Sequence, residues 1–241
     1  MEALRLVPPE ILRFLVANSK PSKAIEFDTG MGLVNLADEF ERLAARDLER
    51  EMSDETLSRR KRVQLEDAIV ALKLSTVDET VEHQSTSVSF RHLALLAQIK
   101  PDDQSVWHSL EASGSIDQPS PQLQDRLKRM RSWIASNHFP EEMRVYICSE
   151  PDVEALEQLT NEQQNLIPIL LATFEEAAWT PEGITDAFKE VSQRTSAGMK
   201  EVYRTSYALF MGVERGPRLA PILSNCDRDD VLSLISQAVQ S

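Results

Sequence analysis

Apolar residues along this chain recur every third or fourth position, and almost nowhere every second one. Leu33, Leu36, Ala37, Phe40, Leu43 and Ala44 fall on one side of a helix drawn at 100° per residue, with charges filling the positions between. Between Gln122 and about Asn137, Leu123, Leu127, Met130 and Ile134 share one face, and Arg126, Arg129 and Trp133 form the neighbouring stripe. Met199, Val202, Ser206 and Leu209 mark a later helix; Val231, Leu234, Ile235 and Ala238 mark a terminal one. The pattern predicts an all-α fold, apart from a small irregular or α/β piece near the start with a short extended stretch at 24–27.

The punctuation between these faces agrees. Proline opens "PPEILRFLVA", where a first helical turn tolerates it. "FRHLALLAQI" ends near Pro101, and "DDQSVWHSLEASG" starts on an aspartate and closes at Gly114. Thr160 with Gln163 predicts a capping box, and Pro168 should kink or restart the helix that follows. Thr180-Pro181 should start a helix that Gly198 closes, and Asp227 should cap the last one. The polar stretch at 75–89, "STVDETVEHQSTSVS", is expected to be a linker or surface loop and a candidate subdomain boundary. "SRRKRV" at 58–63 is expected to be a solvated helix face.

Charge changes the picture more than composition does. The chain of 241 residues is 41% apolar and carries a formal charge of -13, which argues against indiscriminate binding to polyanions. That charge is unevenly spread. Residues 147–186 hold nine acidic side chains and no Lys or Arg, whereas 122–146 and 194–218 each hold five basic ones. Two isolated cysteines, Cys148 and Cys226, suggest neither a disulfide framework nor a zinc site, and the four histidines lack ligand spacing, so no metal is expected. The seven glycines fit no phosphate loop, and no GxSxG elbow occurs. The longest apolar run, 166–174, is too short for a bilayer, and a cytoplasmic address is expected. With no catalytic constellation, a binding role is favoured over self-contained catalysis.

Four stretches, in order, resemble one family. "VPPEILRFLVANSKPSKAIEFDTGMGLVNLADEFERL" (7–43) is similar to the segment after the catalytic domain of class I lysyl-tRNA synthetases. "SFRHLALLAQI" (89–99) and "RLKRMRSWIASNHFPEEMRVYI" (126–147) resemble later pieces of the same enzymes, and "MKEVYRTSYALFMGVERGPRLAPIL" (199–223) resembles their Tyr-Arg…Gly…Gly-Pro-Arg-Leu tail. The resemblance implies a stem-contact-like region at 1–50 and an α-helical anticodon-binding cage at 51–241. It implies tRNA and a catalytic domain as partners. That domain, not this chain, would carry the HIGH-like and KMSKS-like motifs and use ATP. This chain should hold no cofactor and be inactive alone.

In that reading the candidate tRNA-binding residues are Arg126, Arg129, Trp133, Arg204, Arg215 and Arg218. Arginines would anchor phosphates, and Trp133 would stack an unpaired base. The accessible arginines Arg126, Arg129, Arg215 and Arg218 should share one basic face, with the acidic 147–186 block turned away. The rival for Trp133 is a seam between helices, and for Arg215 and Arg218 a helix stop whose arginines cap carbonyls. Two other readings stay open: a helical protein-interaction module descended from a synthetase, and the matching region of a glutamyl-tRNA synthetase.

Overall fold

In a computed structural model, which describes residues 3–20, 22, 24–75, 88–195 and 197–240, helices form two compact units. No strand occurs among the described residues, and 24–27 is irregular. Most of the expected loop at 75–89 lies outside them.

The first unit spans Met1–Arg144. Its helices are α1 (Ala3–Leu6), α2 (Pro9–Ala17), α3 (Met31–Ala44), α4 (Leu48–Met52), α5 (Arg59–Ser75), α6 (Phe90–Ile99), α7 (Asp103–Ala112) and α8 (Pro121–Ile134). The starts are written locally. Asp47, Ser89, Asp102 and Ser120 each accept a hydrogen bond from the backbone N–H three residues on, which satisfies donors that the helix itself leaves orphaned. Gly114, with φ +68°, follows the end of α7. Helix α8 packs against α6 and α1, and its apolar face delivers Leu123, Leu127 and Met130 to a core shared with Leu33, Val34, Phe90 and Leu93. Helices α2 and α5 pack together, so residues on both sides of position 50 belong to this one unit. On α5, Arg59, Arg60 and Lys61 are exposed, as a solvated face requires.

The second unit spans Val145–Ser241 and contains α9 (Val153–Glu157), α10 (Asn161–Gln164), α11 (Ile167–Glu176), α12 (Pro181–Thr195), α13 (Met199–Met211), α14 (Leu219–Leu223) and α15 (Arg228–Gln240). The Thr160–Gln163 capping box is present, and Pro168 sits in the first turn of α11, where it restarts the helical run. Asp227 receives the N–H groups of Asp229 and Asp230 at the head of α15. One expectation is corrected: Gly198 does not close α12 but stands at the N-cap of α13, with φ -66° and ψ 148°. A glycine between two helices reads the same from either side.

Phe174, Phe188 and Phe210 cluster at the centre of this unit, with ring centroids 5.3 Å and 6.0 Å from Phe174. Gly183 lets α12 begin tightly. A Cβ there would collide with the Ala178 carbonyl oxygen, a backbone atom that cannot swing aside. Gly183→Ala is therefore expected to cost about 1–3 kcal/mol by overpacking, read as a lower urea midpoint with the denaturant slope unchanged. An unshifted midpoint would mean that the start of α12 yields freely.

Candidate nucleic-acid interface

In the tail at 212–223, "GVERGPRLAPIL", the candidate arginines Arg215 and Arg218 flank a Gly-Pro break. Helix α13 ends at Gly212, whose φ of +65° is the left-handed conformation that terminates helices and that side-chain-bearing residues resist. A Cβ there would also lie 2.7 Å from a carboxylate oxygen of Asp152. The chain then runs through Val213–Pro217 and re-enters a helix at α14.

Tyr207 holds this turn. Its hydroxyl donates toward the carbonyls of Gly216 (3.0 Å) and Pro217 (2.9 Å), so a side chain of α13 fixes the Gly-Pro break from below. Burial, reinforced by Tyr203, pushes the phenol pKa up, which keeps the donor proton in place. On either side, Arg215 and Arg218 are exposed, and neither forms a hydrogen bond or ion pair among the described residues. They cap no helix carbonyl.

The other four candidates are placed differently. Arg126 is 3% exposed, and its guanidinium bridges Glu10 and Glu41, each at 3.1 Å. The expectation that it is accessible is overturned: two carboxylates from α2 and α3 draw it inward and compensate it. Trp133 is 0% exposed. Its indole N–H donates to the Thr29 carbonyl at 2.7 Å, and its ring meets Phe139 and Phe90 at 4.7 Å and 5.5 Å. Stacking a base is excluded for it, and the helix-seam alternative holds. Arg129 is half-buried, paired with Asp125 at 2.6 Å and bonded to the Leu4 carbonyl. Arg204 is exposed but tied to Glu214 at 2.8 Å. Of the six, only Arg215 and Arg218 are accessible and uncompensated.

Arg218 opens onto a cleft of about 680 Å³ built from α12, α13 and the start of α14. Lys189, Tyr203 and Tyr207 line it with Arg218, as do Glu182 and Asp186. Lys189 pairs with Asp186 at 2.7 Å. Glu182 and Asp186 belong to the acidic 147–186 block, so that block is not wholly turned away from the basic tail. Charge segregated along the sequence is interleaved here, because α12 packs beside α13 and α14.

Lys189 and Tyr207 were missed in the sequence. The signal was present: Tyr203 and Tyr207 are four apart on one helix, and such residues share a face. That Lys189 joins them follows from the packing of α12 on α13 and has no local signature.

Comparison with known proteins gives the class of this helical chain. Residues 92–239 match the family model described as "Anticodon binding domain". The match covers more than half of the chain, which belongs to that family. Over 99% of its length the chain is 27% identical to a lysine–tRNA ligase of Thermoplasma volcanium, and 26% identical to that of Thermoplasma acidophilum. It is 27% identical to the lysine–tRNA ligase of Pyrococcus horikoshii over 94% of its length. It spans less than half of each of these relatives, 44%, 44% and 42%. Among the described residues, no group of three or more His, Cys, Asp or Glu is placed to hold a metal, and no helix is long and apolar enough to cross a membrane.

Proposed function

We propose that this chain is the tRNA-binding, anticodon-recognising C-terminal part of a class I lysine–tRNA ligase. It would support ATP-dependent attachment of lysine to tRNA by a catalytic domain that acts as its partner. The run of lysine–tRNA ligase relatives supports the lysine reading over the glutamyl one. Residues 1–50 would contact the tRNA stem, and the later helices would hold the anticodon end. It would do this work in the cytoplasm.

The observation that carries this reading is the turn at Arg215–Arg218. Two cations that could have been neutralised by 39 acidic residues are instead left exposed on a turn pinned by Tyr207. A free, oriented guanidinium is what a phosphate contact needs. The expected test result is a loss of lysine-tRNA affinity in Arg215→Ala and Arg218→Ala. The log–log slope of affinity against salt should fall by about 0.7–0.9 for each contact removed. An Arg215→Ala/Arg218→Ala double variant with wild-type melting, affinity and salt slope would reject the proposal.

A further inference from the structure

We propose that the outer face of α5 is a self-association surface. On it the α5 of a second copy lies antiparallel, with Val63 on the two-fold axis and Arg59 and Arg60 against the partner's Glu66 and the partner's Asp67. The face belongs to the first unit, outside residues 92–239, and the inference does not rest on the RNA reading.

Helix α5 is packed on one side only. Leu65 and Ala71 are buried, and Ala68 and Leu72 pack against the cluster around Phe14 and Leu43. The opposite side still carries apolar residues: Val63, Val70 and Leu74 are 46%, 54% and 60% exposed. Their spacing puts all three within about 40° of one another at 100° per residue. A helix buried on one face ordinarily turns polar residues outward, so this second stripe is unexplained by the fold of one copy. By the same arithmetic Arg59 and Glu66 flank the stripe on one side, and Arg60 and Asp67 flank it on the other. All four are exposed, and none of their side chains forms a hydrogen bond or ion pair among the described residues.

This face complements itself. A two-fold axis through Val63 reverses the second helix and keeps like flanks facing each other. On one flank Arg60 then meets the partner's Asp67, and on the other Arg59 meets the partner's Glu66. In each pair the two residues lie level to within one residue's rise, about 1.5 Å. The symmetry repeats both pairs around the contact of Val63 with the partner's Val63. Apolar positions alone would also allow Val63 on the partner's Val70. That register sets Glu66 beside the partner's Glu66 and Asp67 beside the partner's Asp67, and a parallel pair sets arginine beside arginine. Charge therefore selects the first arrangement. Single exposed ion pairs contribute little, but pairs gathered around one apolar centre act as a network. Two chains of charge -13 repel, but at physiological ionic strength that repulsion is screened beyond about 8 Å, which leaves the pairs in contact to decide.

The test is sedimentation of the full chain, free of RNA, at physiological salt over a range of concentrations. Wild type should pass from monomer to dimer as concentration rises. Arg59→Glu/Arg60→Glu and Glu66→Arg/Asp67→Arg should each weaken the dimer by roughly 100-fold or more, because like charges then face each other across the contact. An equimolar mixture of the two variants should dimerise again, since every facing pair is once more opposite in sign. Val63→Cys should form a disulfide-linked dimer on oxidation beyond any seen in wild type, and Leu74→Cys should not. Helix content and melting of the variants are measured alongside and should match wild type, because the altered side chains are exposed. A wild type that stays monomeric at every concentration overturns the proposal. So does a dimer that survives either charge reversal, or a mixture of the two folded variants that remains monomeric.

Discussion

Trp133→Ala should lower the stability of the first unit by about 3–5 kcal/mol, the cost of emptying a fully buried aromatic site. The indole is sealed between Phe90 and Phe139, and its removal also strands the Thr29 carbonyl that its N–H satisfies. Trp133→Phe should lose less, since the ring contacts survive and only the hydrogen bond goes. Urea unfolding of the two variants gives the ranking. RNA affinity measured below the unfolding range should be little changed in either. A large loss of affinity with the urea midpoint kept would return Trp133 to the RNA interface.

Arg126→Ala is expected to destabilise by about 3 kcal/mol, the lower end of what breaking a buried ion pair costs. The lower end applies because Glu10 and Glu41 keep 27% and 18% of their side-chain surface in water, while the arginine keeps 2%. The loss should depend on pH. In the folded chain the Glu41 carboxyl sits above its ordinary range, because burial outweighs the pull of Arg126 and the Phe90 N–H. A raised folded pKa means that folding favours the protonated acid. Its contribution is complete below the unfolded pKa and is lost as pH rises through the folded one. Without Arg126 that folded value rises further. The gap in melting temperature between wild type and variant should then widen from about pH 5 to about pH 8 and narrow on acidification. A gap independent of pH would place the loss in packing alone.

These two side chains show where the sequence stops being legible. Their helix was visible: Leu123, Leu127 and Met130 define the α8 face from spacing alone, and Ser120 supplies its cap a few residues away. So were the Thr160–Gln163 box and the Asp227 cap, whose partners lie within three residues. The burial of the neighbouring stripe was not. Arg126 answers to Glu41 and Glu10, 85 and 116 positions distant, and Trp133 answers to Thr29, 104 positions away. An arginine and a tryptophan on the flank of an apolar face look alike whether another helix covers them or RNA does. Only the packing of α1, α2 and α3 decides. The tail was the opposite case. Gly212, Gly216 and Pro217 announce a turn locally, and its arginines are exposed because nothing within that local sequence can neutralise both. What the turn rests on, the hydroxyl of Tyr207, is nine and ten residues back along the chain.

That single hydroxyl has a kinetic consequence. A loop carrying two unpaired guanidinium groups would ordinarily sample many arrangements, and a polyanion meeting it would wait for the right one. Here the Gly-Pro break is tied to a helix at two carbonyls, so the spacing between Arg215 and Arg218 is set during folding. The encounter then needs little rearrangement of the backbone. A polyanion that reaches this turn meets cations already spaced, so fewer encounters are lost to backbone rearrangement, and the lifetime of the complex is left to the contacts made afterwards.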